Sequence, residues 1–536
     1  MINSIDECRS FGMLRNSLRQ DLVSWHGFSN PVAGAILNWF DPANEEYLEH
    51  VNDWQVLLCT GATFEPPQFL KELTSRNAFG TYTIFDLPPD QVGAIHQIAK
   101  LVYKWHGTPR KETNMDEVKQ RLHQSLPVRL DTFEIDGIRD ALACIAVPDL
   151  NVLPGRFGPG ATYEGFNAYE KWARKGGIPD VPASLFRVNS RDDKSFRSFG
   201  YGVTKIAEVP KSIKCNRIVS SEPSMYMFAQ LAVNDFLVKE LHHHFPQHVS
   251  LDDQERHNQA LYWNGACSID LSDASDHVSI GLVQAVLPQL WPVLAKVRSS
   301  FSLFPDGEEV SLETFAPMGS GVCFSVMTTV ILGILRYASR VSKEQHRQLP
   351  TWFHVYGDDI IVPVWMYDIV IDLLARAGLV VNRQKSCCTL YYRESCGREM
   401  LSNTDITPAY IRDPLHTVDA SKIEQIAQHL DGRFFPSTAR TIVELSDPVR
   451  GQRWNRALQR LEVCVRATSV RQKVSSLDGW DGLNRWFSIH SQGNTFDDKR
   501  PSGVAAEVWT RPAWRYKASQ DYPYLSTWFA TRRRAV

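Results

Sequence analysis

Zinc-site spacing is missing from this sequence. Its 10 cysteines include no CxxC pair, and Cys387 and Cys388 stand side by side, which suits neither a zinc ribbon nor a disulfide framework. Reduced thiols of a cytosolic protein are the expectation. An excess of one charge is missing too. With 58 Lys+Arg against 60 Asp+Glu the chain exerts no global pull on polyanions, so a phosphate or nucleic-acid site has to come from local clustering. The most apolar stretch, 322–335, is interrupted by Ser325, Thr328 and Thr329; it falls short of the roughly 18 residues of a membrane span and reads as a buried helix. The opening MINSIDECRSFGMLRNSLRQ lacks the uninterrupted apolar core of a secretory signal, so neither export nor a membrane is expected. No period of about 20–50 residues recurs, which argues against a solenoid.

What is present is ordinary globular material: 536 residues, 43% hydrophobic and 22% charged, enough for several subdomains around a sizeable interior. The first 150 residues carry helical patterning, as in GAIHQIAKLVYKW at 93–105, and read as scaffold. From 151 to 202 the chain turns Gly- and Pro-rich (PGRFGPGAT, RKGGIPDVP) and reads as connecting loops. Beyond about 405, the segment 418–430 (VDASKIEQIAQHL) predicts a helix opened by Asp419. The segment from 505 has six Lys/Arg against two acids, with Trp509, Trp514, Arg515 and Trp528 interleaved; base stacking and core packing both account for such tryptophans.

Chemistry concentrates between 203 and 405. In HVYGDDIIV (354–362) two β-rich apolar runs flank Gly357-Asp358, a tight-hairpin signal that puts Asp358 and Asp359 at the tip. Adjacent carboxylates repel, and a divalent cation resolves that repulsion; a plain hydrophilic turn is the alternative. Upstream, the apolar run 266–269 ends at Asp270, a strand delivering a carboxylate, although an aspartate there also suits the cap of a helix starting near Ser272. Two Mg²⁺ ions about 4 Å apart activate an attacking hydroxyl and stabilise the leaving oxygen of a phosphoryl displacement. They need hard carboxylate ligands from more than one strand. Between the acidic sites lies APMGSGVCFSVMTTVILGILRY (316–337), a Gly-bracketed loop followed by an apolar helix. After the hairpin, 364–378 predicts a helix stopping at Gly378, and LVVNRQKS a strand bearing Lys385. Lys205, Lys211, Lys214 and Arg217 meet only Glu208 in 203–217. That strip suits a triphosphate, or is a solvated face.

Taken in order, SIDLSDASD, MGSG, YGDD, NRQKS and YRESCG resemble the palm motifs of viral RNA-dependent RNA polymerases, most closely the replicases of small single-stranded RNA bacteriophages. The likeness covers about 203–415 and includes EVPKSIKCNRIVSSEP and TPAYIR. It implies an α+β right-hand polymerase with an antiparallel palm sheet, fingers and thumb. The corresponding division is 1–202 for N-terminal scaffold and fingers, 203–264 for fingers with the basic motif, 265–405 for the catalytic palm, and 406–536 for thumb and C-terminal extension.

By resemblance, Asp270, Asp358 and Asp359 are the metal ligands for two Mg²⁺, with Mn²⁺ as the substitute ion. Asp276 senses the ribose 2′-hydroxyl, and Ser320 takes the loop position where these replicases usually have asparagine. The acidic residues expected in the following helix are replaced by Ser325 and Met327. Lys205, Lys211, Lys214 and Arg217 match the motif that covers the nucleotide phosphates, and Lys385 the donor of a proton to pyrophosphate. The implied activity is RNA-templated RNA synthesis from ribonucleoside triphosphates with primer-independent initiation, in the cytoplasm of a bacterial host. Host translation factors Tu and Ts and a ribosomal protein are the implied partners. A reverse transcriptase and an inactive RNA-binding assembly protein of polymerase fold are the rivals; Asp276 has no partner on a deoxy sugar.

Overall fold

The computed structural model describes residues 5–60, 66–76, 82–83, 87–106, 111–165, 202–263, 265–388, 391–418, 420–446, 452–455 and 460–463. The predicted cap Asp419 and the aromatic segment with Trp509, Trp514, Arg515 and Trp528 lie outside them. The described residues are α+β and gather into two compact units.

One unit draws on residues 1–47, 94–105 and 408–536. Asp21, buried on the helix Ile5–Ser24, accepts from the backbone N–H groups of Ser437 (3.0 Å) and Thr438 (2.7 Å). It thereby satisfies donors that the first turn of the helix Pro436–Leu445 leaves without intrahelical partners. The TPAYIR run is tied by its backbone: Ala409 donates to Gln97 Oε1 (2.8 Å) and accepts from Gln97 Nε2 (2.9 Å). The helix predicted over 418–430 is present as Ala420–Gly432.

The second unit, residues 48–93 and 106–407, holds the motifs. Its chain runs through helices α1 (Met115–His123) and α2 (Thr132–Leu142), the strand pair β1 (Val203–Pro210) and β2 (Asn216–Ser221), and the long helix α3 (Ser224–His244). Strand β3 (Ala266–Ile269) follows, then β4 (Phe301–Leu303), β5 (Glu309–Ser311) and helix α4 (Cys323–Gln345). The hairpin β6 (His354–Tyr356) and β7 (Asp359–Pro363), helix α5 (Val364–Arg376), and strands β8 (Tyr392–Ser395), β9 (Arg398–Leu401) and β10 (Thr404–Asp405) complete it. These strands form three sheets, besides the short pair Ser75–Arg76 with Tyr82–Thr83: β3-β7-β6 and β8-β9-β10, both antiparallel, and β2-β1-β4-β5, in which β1 and β4 run parallel.

Helix α4 is the centre of this core. It is longer than the apolar run suggested, 23 residues, and is long and apolar enough to cross a membrane by length and composition, yet most of it is buried within the unit against α2, α3 and α5. Each large apolar side chain so buried contributes about 1.5–3 kcal/mol. Gly333 lets α2 approach, since a Cβ there would lie 2.6 Å from Leu142. Helix α2 starts with a reciprocal cap, Asp131 accepting from Glu134 N (2.8 Å) and Glu134 from Asp131 N (2.9 Å). The Arg376 guanidinium at the end of α5 forks onto the same Glu134.

Two expectations are corrected. LVVNRQKS is not a strand: only the isolated bridges Leu271–Val381 and Ser268–Cys387 tie it to the segment of β3. Between them Asn382 O accepts from the backbone N–H groups of Lys385 (3.1 Å) and Ser386 (2.8 Å), a turn that carries Lys385. The cysteines are not all reduced thiols either, because Cys59 and Cys387 form a disulfide. At a sequence separation of 328, no local spacing rule reaches that pair.

Candidate active site

The hairpin β6–β7 closes on Tyr356↔Asp359 with Gly357 and Asp358 as its two turn residues. Gly357 has φ +65°, which the first position of such a turn requires and glycine adopts without steric cost. A Cβ there would sit 2.2 Å from the Phe324 ring, and Thr328 Oγ1 accepts from Gly357 N at 3.1 Å. The first turns of α4 thus brace the tip. Strand β3 pairs with β7 through Ile269↔Ile360, so one step further along the ladder Asp270 comes level with Asp359. Asp270 does not cap the following helix, which begins at Ala274.

The electrostatics agree with that register. Burial, then Asp359 and Asp270, push the Asp358 carboxyl up to about 6. Burial also raises Asp270, with Asp359 adding to it and Lys385 and Lys211 opposing. Lys385 Nζ lies 3.7 Å from Asp270 Oδ2. Asp359 has a different set of partners, accepting from Cys396 N (2.9 Å), Ser395 Oγ (3.3 Å) and Cys396 Sγ (3.2 Å). As they stand, no three His, Cys, Asp or Glu side chains among the described residues are gathered closely enough to enclose an ion. The donor set nonetheless fits a hard divalent cation: Asp270 and Asp358 are neighbouring, partly buried carboxylates whose mutual repulsion such a charge relieves.

Asp276 is 8% exposed, in the short helix Ala274–His277. Arg121 Nε of α1 donates to its Oδ2 at 2.8 Å and Ser275 Oγ to its Oδ1 at 3.1 Å. Burial raises its pKa and Arg121 opposes the shift. Ser320 is buried, its hydroxyl beside Glu222 without a well-aligned hydrogen bond. Of the basic strip, Lys211 is the residue whose charge bears on Asp270 and Asp358. Lys205, Lys214 and Arg217 are exposed along the β1–β2 pair, and the register Lys205↔Ser221, Val209↔Arg217 puts Lys205 and Arg217 on one face. The RESCG segment is a hairpin whose turn residues, Cys396 and Gly397, have φ +50° and +77°. Its Arg393 is buried and donates to the Ser402 and Trp263 carbonyls, a packing role.

Sequence reasoning missed Arg121, Glu222 and the Ser395–Cys396 grip on Asp359. Arg121 meets Asp276 across 155 positions, and nothing in an amphipathic helix marks which arginine will do so. Its substitution has a specific expected outcome. Arg121→Gln leaves a buried carboxylate with one fewer donor; on the expectation that Asp276 senses the ribose 2′-hydroxyl, discrimination between ribo- and deoxynucleotides falls by about tenfold, the scale of one charged hydrogen bond, while Arg121→Lys retains part of it. Competing incorporation of the two sugars measures this, and unchanged discrimination in Arg121→Gln refutes the role.

The RNA replicase, beta-chain family model matches residues 182–424. The chain is 32% identical over 231 residues to the RNA-directed RNA polymerase subunit beta of Qbeta virus (strain MX1), covering 41% of this chain and 38% of that protein. It is 34% identical over 217 residues to the subunit beta of Enterobacteria phage SP (39% and 36%) and 33% identical over 218 residues to the RNA-directed RNA polymerase beta chain of Escherichia phage MS2 (40% and 38%). The chain therefore spans under two fifths of the length of the curated relatives it matches. A crystal structure of the RNA-dependent RNA polymerase of a human picorbirnavirus overlaps 76% of this chain and 83% of its own at 11% identity and a TM-score of 0.41, too distant a likeness to bear on the site. Asp270, Asp276, Asp358 and Asp359 all lie inside the span, residues 182–424, over which the chain is similar to the RNA replicase beta-chain family.

Proposed function

We propose that this chain is an RNA-directed RNA polymerase that copies a viral RNA genome in the cytoplasm of a bacterial host, adding ribonucleotides by nucleotidyl transfer. The observation that carries this reading is the β3–β7 register, which brings Asp270 level with Asp359 beside the Gly357-Asp358 turn. Asp270 and Asp358 would hold the divalent ions, with Asp359 joining them if it leaves the Ser395–Cys396 turn. A pair of bound Mg²⁺ ions supplies activation of the attacking 3′-hydroxyl and stabilisation of the leaving pyrophosphate. The protein supplies the rest. Lys211, with Lys205, Lys214 and Arg217 along the same strand pair, offsets triphosphate charge. Lys385, on its turn beside Asp270, is placed to give a proton to pyrophosphate, and Asp276 accepts from the ribose 2′-hydroxyl.

In this reading 265–405 is the palm, with fingers before it and thumb after it, initiation needs no primer, and host factors Tu and Ts and a ribosomal protein complete the enzyme; the family likeness supports these assignments. Full-length chain incubated with an RNA template, Mg²⁺ and labelled nucleotides is expected to build product from ribonucleotides and not from deoxynucleotides. Product from deoxynucleotides alone would make it a reverse transcriptase. No product with either sugar, with host extract added, favours the assembly-protein reading.

A further inference from the structure

Behind the Gly-bracketed loop lies a buried acid that the mechanism does not use. Glu222, at the end of β2, is 1% exposed, yet its carboxylate is not surrounded by apolar groups. Ser299 Oγ donates to its Oε2, and the Gln230 amide and the Ser320 hydroxyl lie against it. Gln230, itself fully buried on α3, is a bridge: its Oε1 accepts from Gly321 N at 2.9 Å, and its Nε2 donates to the Val297 carbonyl at 2.9 Å. The other side of the loop is fixed by backbone, with Ser220 N donating to Met318 O at 2.7 Å. Four points of the loop's inner surface therefore converge on β2 and α3: Met318, Gly319, Ser320 and Gly321. Its outer surface begins at the half-exposed Met318.

We infer that Glu222 is a positioning residue: seated behind the Pro317–Gly321 loop beside Gln230, whose Oε1 holds Gly321 N, it keeps the loop in place and so sets the affinity for the incoming nucleotide, an inference that rests on the polymerase reading above. A carboxylate in this position makes a charge-assisted hydrogen bond, roughly twice as strong as a neutral one, whereas an apolar residue would take from the buried Ser299 hydroxyl its acceptor and remove the polar wall against which Gln230 sits. Burial pushes the Glu222 carboxyl up to about 7, opposed by Ser299, Gln230, Ser320 and the nearby Arg298 charge. The other titratable group bearing on it is the Cys323 thiol at the start of α4, itself raised by burial. Arg298 is in turn balanced by Glu313. The ionised form, present above pH 7, accepts more strongly from Ser299 and is favoured by the adjacent Gln230 amide and Arg298 charge, so it holds the back of the loop more tightly than the neutral acid.

The test uses the full chain and two readouts. Hydrogen exchange of the amides from 319 to 323 is expected to speed up about tenfold in Glu222→Ala, the scale of one lost charged hydrogen bond, while the β6–β7 hairpin amides keep wild-type protection. In the same variant KM for nucleotide rises about tenfold with kcat within about twofold. Wild-type KM falls between pH 6 and pH 8; Glu222→Gln, similar in shape but without the titration, restores loop protection and loses the part of that fall centred near pH 7, keeping only the component near pH 6 that Asp358 contributes. Wild-type exchange in the loop of Glu222→Ala overturns the inference. So does a Glu222→Gln profile that still follows pH as wild type does, and this arm decides if Glu222→Ala does not fold. Should the wild type make no polymer at all, the polymerase reading fails, and the exchange arm still decides whether Glu222 holds the loop.

Discussion

Asp358→Asn loses well over about 100-fold in RNA elongation, because even groups one step removed from a metal cost roughly 10 to 100-fold and Asp358 is a direct ligand in the proposed mechanism. The substitution keeps the volume of the side chain and its place in the turn, so the loss is one of charge. A second readout separates it from a folding defect. Asp358 is raised to about 6 in the folded chain against an ordinary 3.8. A raised carboxyl contributes most below the unfolded value and loses that contribution as pH rises through the folded one. Without divalent ions, wild type therefore becomes less stable between about pH 4 and 6, and Asp358→Asn escapes that loss. At pH 8 the variant is expected to be at least as stable as wild type, by up to about 1–3 kcal/mol, and Mg²⁺ protects wild type alone. Denaturant melts with and without Mg²⁺, beside an elongation assay, check both. Near-normal synthesis by Asp358→Asn ends the metal assignment, and a destabilised variant ends the electrostatic account.

Gly319→Ala is the second large effect, and it falls on stability and activity together. Gly319 has φ +112°, a conformation that side chains other than glycine's rarely adopt. The space is closed as well: a Cβ would lie 2.3 Å from the Ser220 carbonyl oxygen and 2.9 Å from Val219. The nearer obstacle is backbone of β2, which cannot swing aside as a side chain can. Conformational strain of about 1–3 kcal/mol adds to an overpacking cost of similar size, so a loss of about 2–4 kcal/mol in unfolding free energy is expected, together with the Ser220–Met318 hydrogen bond. A variant that melts like wild type and binds nucleotide as tightly shows that the loop does not pack as described.

Local chemistry made the tip legible. A Gly-Asp pair between two apolar runs specifies a two-residue hairpin, and a four-residue apolar run ending in aspartate specifies a strand with an acid at its end. Both rules act over a few residues, and both are met in the structure. Long-range pairing left no such trace. The parallel junction of β1 with β4 joins residue 203 to residue 301, the disulfide joins 59 to 387, and Arg121 finds Asp276 only once the core has formed. LVVNRQKS misled for a related reason: its apolar start has strand chemistry, but Asn382 draws the chain into a turn by accepting from two following backbone donors, so β propensity yielded to local hydrogen bonding. Ser320 is a third case. A hydroxyl in a glycine loop suggests an open ligand contact, and only the packed structure shows it turned toward a carboxylate at its back.

Thr328 and Phe324 give the reactive end of this molecule an unusual mechanical footing. The same helix that fills the hydrophobic interior ends, at its amino side, in two side chains that grip the turn carrying Asp358. Greasy interior and charged extremity are consequently one lever: on the proposed function, a core substitution that shifts the first turns of this helix displaces the Asp358 carboxylate, so an inactivating change need carry no charge and touch no substrate.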